Sequence, residues 1–264
     1  LQYINGRTWW HELELIVRTG VLIPRPETEL LVEAARERMP DGGFSWALDI
    51  GCGTGAIGLA LLHAGIAERI VMVDSSREAA RLSYENARQV LADPDADNDR
   101  DKEREATFMP GLREERGDRS VAWYREGDDI PICTILHSDA LQNDWLPRTL
   151  LPALPEQFPL IASNPPYIRR DEWPTLQHEV REHEPREALL SGADGLDAHR
   201  ALSKLAPSLL TPDGWFLGEI GAEQGEAVRF LYTEWAEPVE ILPDLAGRDR
   251  IVAARNKVAG NSHA

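Results

Sequence analysis

The residues best suited to chemistry in this chain stand together in Ser163-Asn164-Pro165-Pro166-Tyr167-Ile168. The apolar stretch Phe158-Pro159-Leu160-Ile161-Ala162 leads into them and reads as a buried strand ending at Asn164. Each proline fixes its own φ near −65° and drives the residue before it out of the helical region, so Asn164 and Pro165 are held extended. Neither proline has an N–H. The turn is therefore rich in acceptors and poor in donors, and the Asn164 side chain adds another carbonyl oxygen. A stiff cluster of oxygens at a strand end is suited to gripping an –NH2 group. Tyr167 offers a wall for a flat amide or a base. An ordinary strand-to-loop turn would have the same composition, so the run needs support from the rest of the chain.

That support comes from a second run. Trp46-Ala47-Leu48-Asp49-Ile50 reads as a strand, Gly51-Cys52-Gly53-Thr54-Gly55 as a turn, and Ala56-Ile57-Gly58-Leu59-Ala60-Leu61-Leu62 as the opening of a helix. Strand, glycine turn and helix in this order form the ligand cradle of doubly wound α/β folds. Glycines let a ligand approach the backbone, and the helix start offers free N–H groups. A further strand, Ile70-Val71-Met72-Val73, ends in Asp74. An acid about twenty residues past the glycines is placed to bind ribose hydroxyls, and such a charged hydrogen bond contributes about 1.5–3 kcal/mol. The bland alternative for Asp74 is a cap before Ser75-Ser76. Gly51-x-Gly53-x-x-Ala56 also satisfies the dinucleotide fingerprint. A third strand over 132–137 ends near Asp139, a second acid expected on the same sheet edge.

These elements predict an α/β fold with a mostly parallel, seven-stranded, doubly wound sheet and an antiparallel closing strand. Residues 1–20 read as a hairpin. Arg25 lies between Pro24 and Pro26 in an extended arm, and a helix begins at Glu27 or Thr28 and runs to about Met39. Arm and helix are placed to act as a lid, so residues 1–40 form one unit and 41–256 the catalytic domain. Further helices are expected over 77–91, 197–210 and 224–235, a turn at 211–214, and strands at 215–220, 239–242 and 250–255. Residues 93–129 are crowded with charge and read as a surface-loop insertion, or else as a docking arm through Trp123-Tyr124. The tail 257–264 is expected to fray.

Composition narrows the function. The 264 residues carry a formal charge of −17 and only three lysines, at Lys102, Lys204 and Lys257. Such a surface repels phosphate backbones, which weighs against nucleic acid. No apolar run reaches the length of a membrane span. Cys52 and Cys133 are too few for a disulfide framework, and cytoplasmic localisation is the simplest expectation. No residues have metal-ligand spacing. The first residue is Leu1, as expected for a piece of a longer protein.

Taken in order, Leu22-Ile23-Pro24-Arg25-Pro26-Glu27-Thr28-Glu29, Asp49-Ile50-Gly51-Cys52-Gly53-Thr54-Gly55, Asn164-Pro165-Pro166-Tyr167, Glu184-Pro185, Glu219-Ile220-Gly221 and Asp244-Leu245-Ala246-Gly247 with Arg250 are a series. The series resembles the HemK family of class I S-adenosylmethionine-dependent methyltransferases, which modify a glutamine side-chain nitrogen (N5) in peptide chain release factors. The resemblance implies S-adenosylmethionine as cofactor and a release factor, through its Gly-Gly-Gln loop, as partner. It also implies catalytic roles for Asn164, Pro165 and Tyr167. Gly51, Cys52, Gly53, Thr54 and Gly55 would hold the methionine part, Asp74 the ribose, and Asp139 and Ala140 the adenine. Asn164 would touch both cofactor and substrate, with Pro166, Arg25 and Thr28 completing the substrate side. The chain departs from the family in three places. The sequence is expected to hold almost none of the helical domain that the family carries ahead of the arm, the insertion is extra, and Ala140 stands where a large aromatic is common, implying a looser adenine pocket. Two rival activities share parts of the pattern. Adenine-N6 DNA methyltransferases use the Asn-Pro-Pro-Tyr grip on a flipped base, and NAD-dependent oxidoreductases use the glycine turn. A binding module without catalysis is the third alternative.

Overall fold

The computed structural model describes residues 2–91, 120–124, 130–141 and 154–257. The chain opens with a short helix α1 (Gln2–Asn5) and the hairpin β1 (Arg7–Trp10) and β2 (Leu13–Ile16). A 3-10 turn at Pro26–Thr28 leads into α2 (Glu29–Glu37), where the sequence predicts a continuous helix. Then come β3 (Ala47–Ile50), α3 (Ala56–His63), β4 (Ile70–Asp74) and α4 (Arg77–Leu91), the last with the predicted bounds. After β5 (Ser120–Tyr124), β6 (Pro131–His137) and β7 (Phe158–Ser163), the chain forms α5 (His178–His183), α6 (Asp197–Leu209) and β8 (Leu210–Glu219). It finishes with α7 (Gly225–Thr233), β9 (Ala236–Pro243) and β10 (Asp249–Asn256).

The main sheet has the order β5-β6-β4-β3-β7-β8-β10-β9. Strands β6, β4, β3, β7 and β8 run parallel, and β10 enters antiparallel between β8 and β9. These seven strands are the predicted sheet. An eighth, β5, pairs antiparallel with β6 at the edge. Residues 120–124 are therefore strand, correcting their assignment to a surface loop. The rest of the 93–129 insertion falls outside the described residues. Lys257 also departs from expectation: its N–H reaches the Trp235 carbonyl and its Nζ the Thr233 carbonyl. The remainder of the expected frayed tail, 258–264, lies outside the described residues. The predicted turn at 211–214 is a bulge within β8, since Leu210 pairs with Phe158 and Trp215 with Leu160. Asp213 takes φ 63° there.

Strand residues alternate between two buried layers, as the two-residue period of a strand requires. Ala47, Ile70, Met72, Cys133, Leu160 and Ala162 face a core closed by α2, α3, α4 and the hairpin. Leu48, Ile50, Val71, Val73, Leu136 and Ile161 face a second core closed by α6 and α7. Both faces are covered, which is the doubly wound arrangement. From β3 the chain moves through β4 to β6 on one side, and through β7 to β8 on the other. The crevice at this reversal is where open α/β sheets bind ligands. Among the described residues, no helix is long and apolar enough to cross a membrane.

Candidate active site

Both motifs end at this reversal. Ile50 on β3 pairs with Ser163 on β7, so Gly51 and Asn164 are the next residue on each of two adjacent strands. The Ser163 hydroxyl donates to the Ile50 carbonyl at 2.8 Å and locks the two ends level. On the other flank the Gly51 and Cys52 N–H groups reach the Val73 carbonyl. Asp74 pairs with His137, and the Ser138 N–H reaches the Asp74 carbonyl. Four strand tips thus stand side by side around a cavity of about 290 Å³. Its walls include Gly51, Cys52, Gly53, Thr54, Asp74, Asp139, Ala140, Asn164, Pro165 and Pro166. Pro24 and Thr28 of the arm, and Pro185 and Ala188 of the segment after α5, complete it.

The glycine turn is shaped for a ligand at two positions. Gly51 and Gly53 have φ of 73° and 57°, a region costly for other residues, and a Cβ on either would meet nothing within 4 Å. The protein leaves space above these two backbones and keeps it clear of side chains. Gly55 differs. It does not line the cavity, and a Cβ there would come within 3.3 Å of Leu59 and Ser83. At this glycine α3 and α4 pack closely. Helix α4 braces the turn from below: the Ser83 hydroxyl donates to the Gly53 carbonyl at 2.8 Å and Asn86 Nδ2 to the Thr54 carbonyl at 2.9 Å. Asn86 also exchanges two hydrogen bonds with Ile16, stapling the hairpin to the same helix.

Asp74 holds the turn as well as facing the cavity. Its Oδ2 accepts the Gly53 N–H at 2.9 Å and its Oδ1 the Ser76 N–H at 2.8 Å. The cap and the ligand role coexist, because each carboxylate oxygen retains a second lone pair. Burial raises its pKa, and the two backbone donors oppose the shift. Asp49 serves α3 from inside the sheet. Its Oδ2 accepts the Gly58 N–H at 3.0 Å, one of the donors a helix start leaves without a partner. Burial pushes the Asp49 carboxyl up to about 7.

On the other side of the cavity, Asn164 Nδ2 donates to Thr28 Oγ1 at 3.1 Å. Its Oδ1 has no partner among the described residues, and neither does the Pro165 carbonyl. Thr28 stands at the N-cap of α2 with helical φ and ψ of −68° and −19° and makes no side-chain capping bond; its hydroxyl donates to Glu219 Oε2 at 2.6 Å. Tyr167 was expected against the target side chain. It lies outside the cavity wall, and its hydroxyl donates to Glu219 Oε1 at 3.0 Å. Burial is the chief cause that raises the tyrosine's pKa, with the Glu219 charge adding to it. His199 secures Glu219 from behind. Burial lowers its pKa to about 4, so the ring is neutral with one N–H. A carbonyl can only accept, so Nε2 carries that proton to the Glu219 carbonyl at 2.9 Å, and Nδ1 accepts from the Tyr232 hydroxyl.

Arg25 also lies outside the wall. Its carbonyl accepts the Trp10 indole N–H at 2.7 Å, and its Nη2 reaches both oxygens of the buried Glu184, at 2.5 and 2.6 Å. The arm is thereby tied to the hairpin behind it and to the opposite wall. The extended backbone predicted between the two prolines is present, with φ −93° and ψ 147° at Arg25. Among the described residues, no group of His, Cys, Asp or Glu could hold a metal.

Comparison with known proteins places this arrangement. A family model described as the methyltransferase small domain matches residues 26–101. A release factor glutamine methyltransferase of Thermosynechococcus vestitus is 36% identical, over 97% of this chain and 74% of its own length. The chain belongs to the release factor glutamine methyltransferase family. A second relative of that name, from Cereibacter sphaeroides, is 36% identical over 96% of this chain and 73% of its own. The fold is that of known methyltransferases. A solved methyltransferase from Pyrococcus furiosus superposes with a TM-score of 0.53 at 10% identity, covering 93% of this chain and 90% of that one. Neither the adenine-N6 DNA methyltransferase nor the oxidoreductase reading is favoured by these relatives.

Proposed function

We propose that the protein transfers a methyl group from S-adenosylmethionine to the side-chain amide nitrogen of a glutamine in the Gly-Gly-Gln loop of a peptide chain release factor. The observation that carries this reading is the pair of uncommitted oxygens, Asn164 Oδ1 and the Pro165 carbonyl, one strand away from the Gly51–Gly53 cradle. The names of the relatives support the substrate. The cradle fits the cofactor, since Gly51 and Gly53 border open space and Asp74 keeps acceptor capacity. Gly51, Cys52, Gly53 and Thr54 would hold its methionine part, Asp74 its ribose, and Asp139 and Ala140 its base. When bound, S-adenosylmethionine supplies an electrophilic methyl group on its sulfonium sulfur.

An amide nitrogen is a poor nucleophile because its lone pair is conjugated with the carbonyl. Positive charge grows on it as it attacks. Asn164 Oδ1 and the Pro165 carbonyl accept its two N–H bonds, stabilise that charge and fix the nitrogen in line with the methyl group. Pro165 and Pro166 keep the turn from relaxing and offer no competing donor. A strong base is not required, because the methylated product sheds its proton readily. Incubating a release factor with the protein and labelled S-adenosylmethionine, followed by mass spectrometry, tests the reading. One methyl group on the Gly-Gly-Gln glutamine is expected. Asn164→Ala is expected to slow turnover about 10²–10³-fold, the scale for losing one preorganised hydrogen-bonding group. Wild-type turnover in that variant would remove Asn164 from the mechanism.

A further inference from the structure

Glu219 neither lines the cavity nor is assigned to cofactor or target amide, yet it is among the most deeply buried acids of the described residues, 1% exposed. It ends β8, whose Gly218 pairs with Ser163, so Glu219 and Asn164 stand level just past that pair. Both its oxygens are taken by hydroxyl donors, Thr28 on Oε2 and Tyr167 on Oε1. Burial pushes its pKa up, while the two hydroxyls and the nearby Arg250 draw it down, and Glu27 adds a small upward push.

The chain of bonds from Glu219 has a direction. A carboxylate only accepts, so the single proton of the Thr28 hydroxyl is committed to it. Thr28 Oγ1 is then left as an acceptor for its second contact, at 3.1 Å from Asn164. An acceptor admits the NH2 end of a carboxamide and repels the oxygen end. The oxygen of Asn164 is therefore the end left for the cavity. We infer that Glu219 is a positioning residue which, acting through Thr28, sets the orientation of the Asn164 carboxamide and thereby its fitness to accept a hydrogen bond from the target amide. Because Thr28 belongs to the arm, the same bonds tie the orientation of Asn164 to the seating of the arm. The inference rests on the methyl-transfer reading.

Glu219→Gln preserves shape but can offer its own NH2 to Thr28. The hydroxyl proton is then free to turn toward Asn164, and the carboxamide can reverse and present N–H to an incoming N–H. The full chain is assayed for methylation of a release factor, with S-adenosylhomocysteine affinity measured by calorimetry. Loss of an outer orienting partner typically costs about 10–100-fold in activity, and that fall in kcat is expected for Glu219→Gln and for Thr28→Val. Affinity for S-adenosylhomocysteine should change less than about threefold, which a general loosening of the site would not allow. Thr28→Ser, which keeps the hydroxyl, should recover about tenfold or more over Thr28→Val. The double variant should be no slower than the slower single one, since both break one chain. Should Glu219→Gln fail to fold, Thr28→Val and Thr28→Ser decide the matter by the same comparison. An undiminished kcat in Glu219→Gln, multiplying losses, or a Thr28→Ser as slow as Thr28→Val overturns the inference. If the unsubstituted chain transfers no methyl group, the proposed function falls and takes this inference with it. An active unsubstituted chain with an equally active Glu219→Gln sinks the inference alone.

Discussion

Gly53→Ala separates what the glycine turn does for the fold from what it does for a ligand. Gly53 has φ 57°, and a Cβ added there would meet no protein atom within 4 Å. The cost to stability is therefore backbone strain alone, about 1–2 kcal/mol for an L-residue in the left-handed region. A less flexible unfolded chain returns about 0.4–1 kcal/mol of that. The net loss is about 1 kcal/mol, or roughly 2–4 °C in Tm for a domain of this size. Gly65 is the matched control. It follows α3 at the end away from the cavity, has φ 66°, and likewise has open space at its Cβ position. Gly65→Ala should lose the same stability. Only Gly53→Ala should weaken S-adenosylhomocysteine, by about tenfold or more, equivalent to roughly 1.4 kcal/mol, because its methyl group occupies ligand space. Gly55→Ala adds a third case, meeting Leu59 and Ser83 at 3.3 Å and so costing packing. Urea unfolding and calorimetry on the three variants give both quantities. Wild-type affinity in Gly53→Ala, or an equal loss of affinity in Gly65→Ala, would refute the assignment of Gly53 to the ligand.

Three further outcomes follow from buried ionisable groups. Arg25→Ala strands the buried Glu184 and should cost about 1–3 kcal/mol near neutral pH. Burial already raises the Glu184 pKa against the pull of Arg25, so removing Arg25 raises it further, and the loss should shrink at lower pH as Glu184 takes up a proton; urea titrations at about pH 5 and about pH 8 check this. Asp49, raised from 3.8 to about 7, holds a proton that the unfolded chain releases, so its contribution to stability fades as pH rises between those values. Asp49→Asn should flatten that part of the stability–pH curve and stabilise the protein at about pH 8 relative to wild type, on the order of 2 kcal/mol; a Tm series across pH measures it. Burial pushes the thiols of Cys52 and Cys133 well up, so both should resist alkylation in the folded protein and react only after denaturation, as read by mass spectrometry.

Features carried by local pattern were legible from the sequence, and features made by distant pairing were not. The cradle, Asp74 and the Asn164 turn follow from apolar runs ending in glycine, acid or proline, which act over a few residues. Helix α4 appeared with its bounds because its apolar period is helical throughout. The pair Arg25–Glu184 joins residues far apart in the chain, and the hydrogen bond from Thr28 to Glu219 farther still. No local signal distinguishes Glu219 from a polar residue at any strand end. The acid next to Ile220-Gly221 was visible as part of a motif, but not as a buried one. The position of Tyr167 in the turn is readable in the same local way as the cradle, whereas its hydrogen bond to Glu219 is not. Strand β5 was missed because it follows a long charged stretch, and pairing with β6 rather than its own alternation makes it a strand.

The two sides of the cavity have opposite polarity, and this explains why the motifs occupy adjacent strands. The β3 tip leads into a helix start. The Gly51 and Gly53 N–H groups are taken by the Val73 carbonyl and Asp74 Oδ2. The first N–H groups of α3, at Ala56 and Ile57 on the cavity wall, have no acceptor among the described residues and are the donors left for a ligand. The β7 tip is followed by two prolines, which remove donors and leave oxygens. A methyl donor with a carboxylate tail suits the first surface, and a primary amide with two N–H bonds suits the second. The Ser163 bond to Ile50 fixes the two tips at one level, and parallel neighbours in a sheet lie about 5 Å apart. That spacing brings a group held at one tip within contact distance of a group held at the other. Exchanging the two turns would leave each ligand facing groups of its own hydrogen-bonding kind, so the order glycine turn on β3, proline turn on β7 is set by the chemistry of both substrates together.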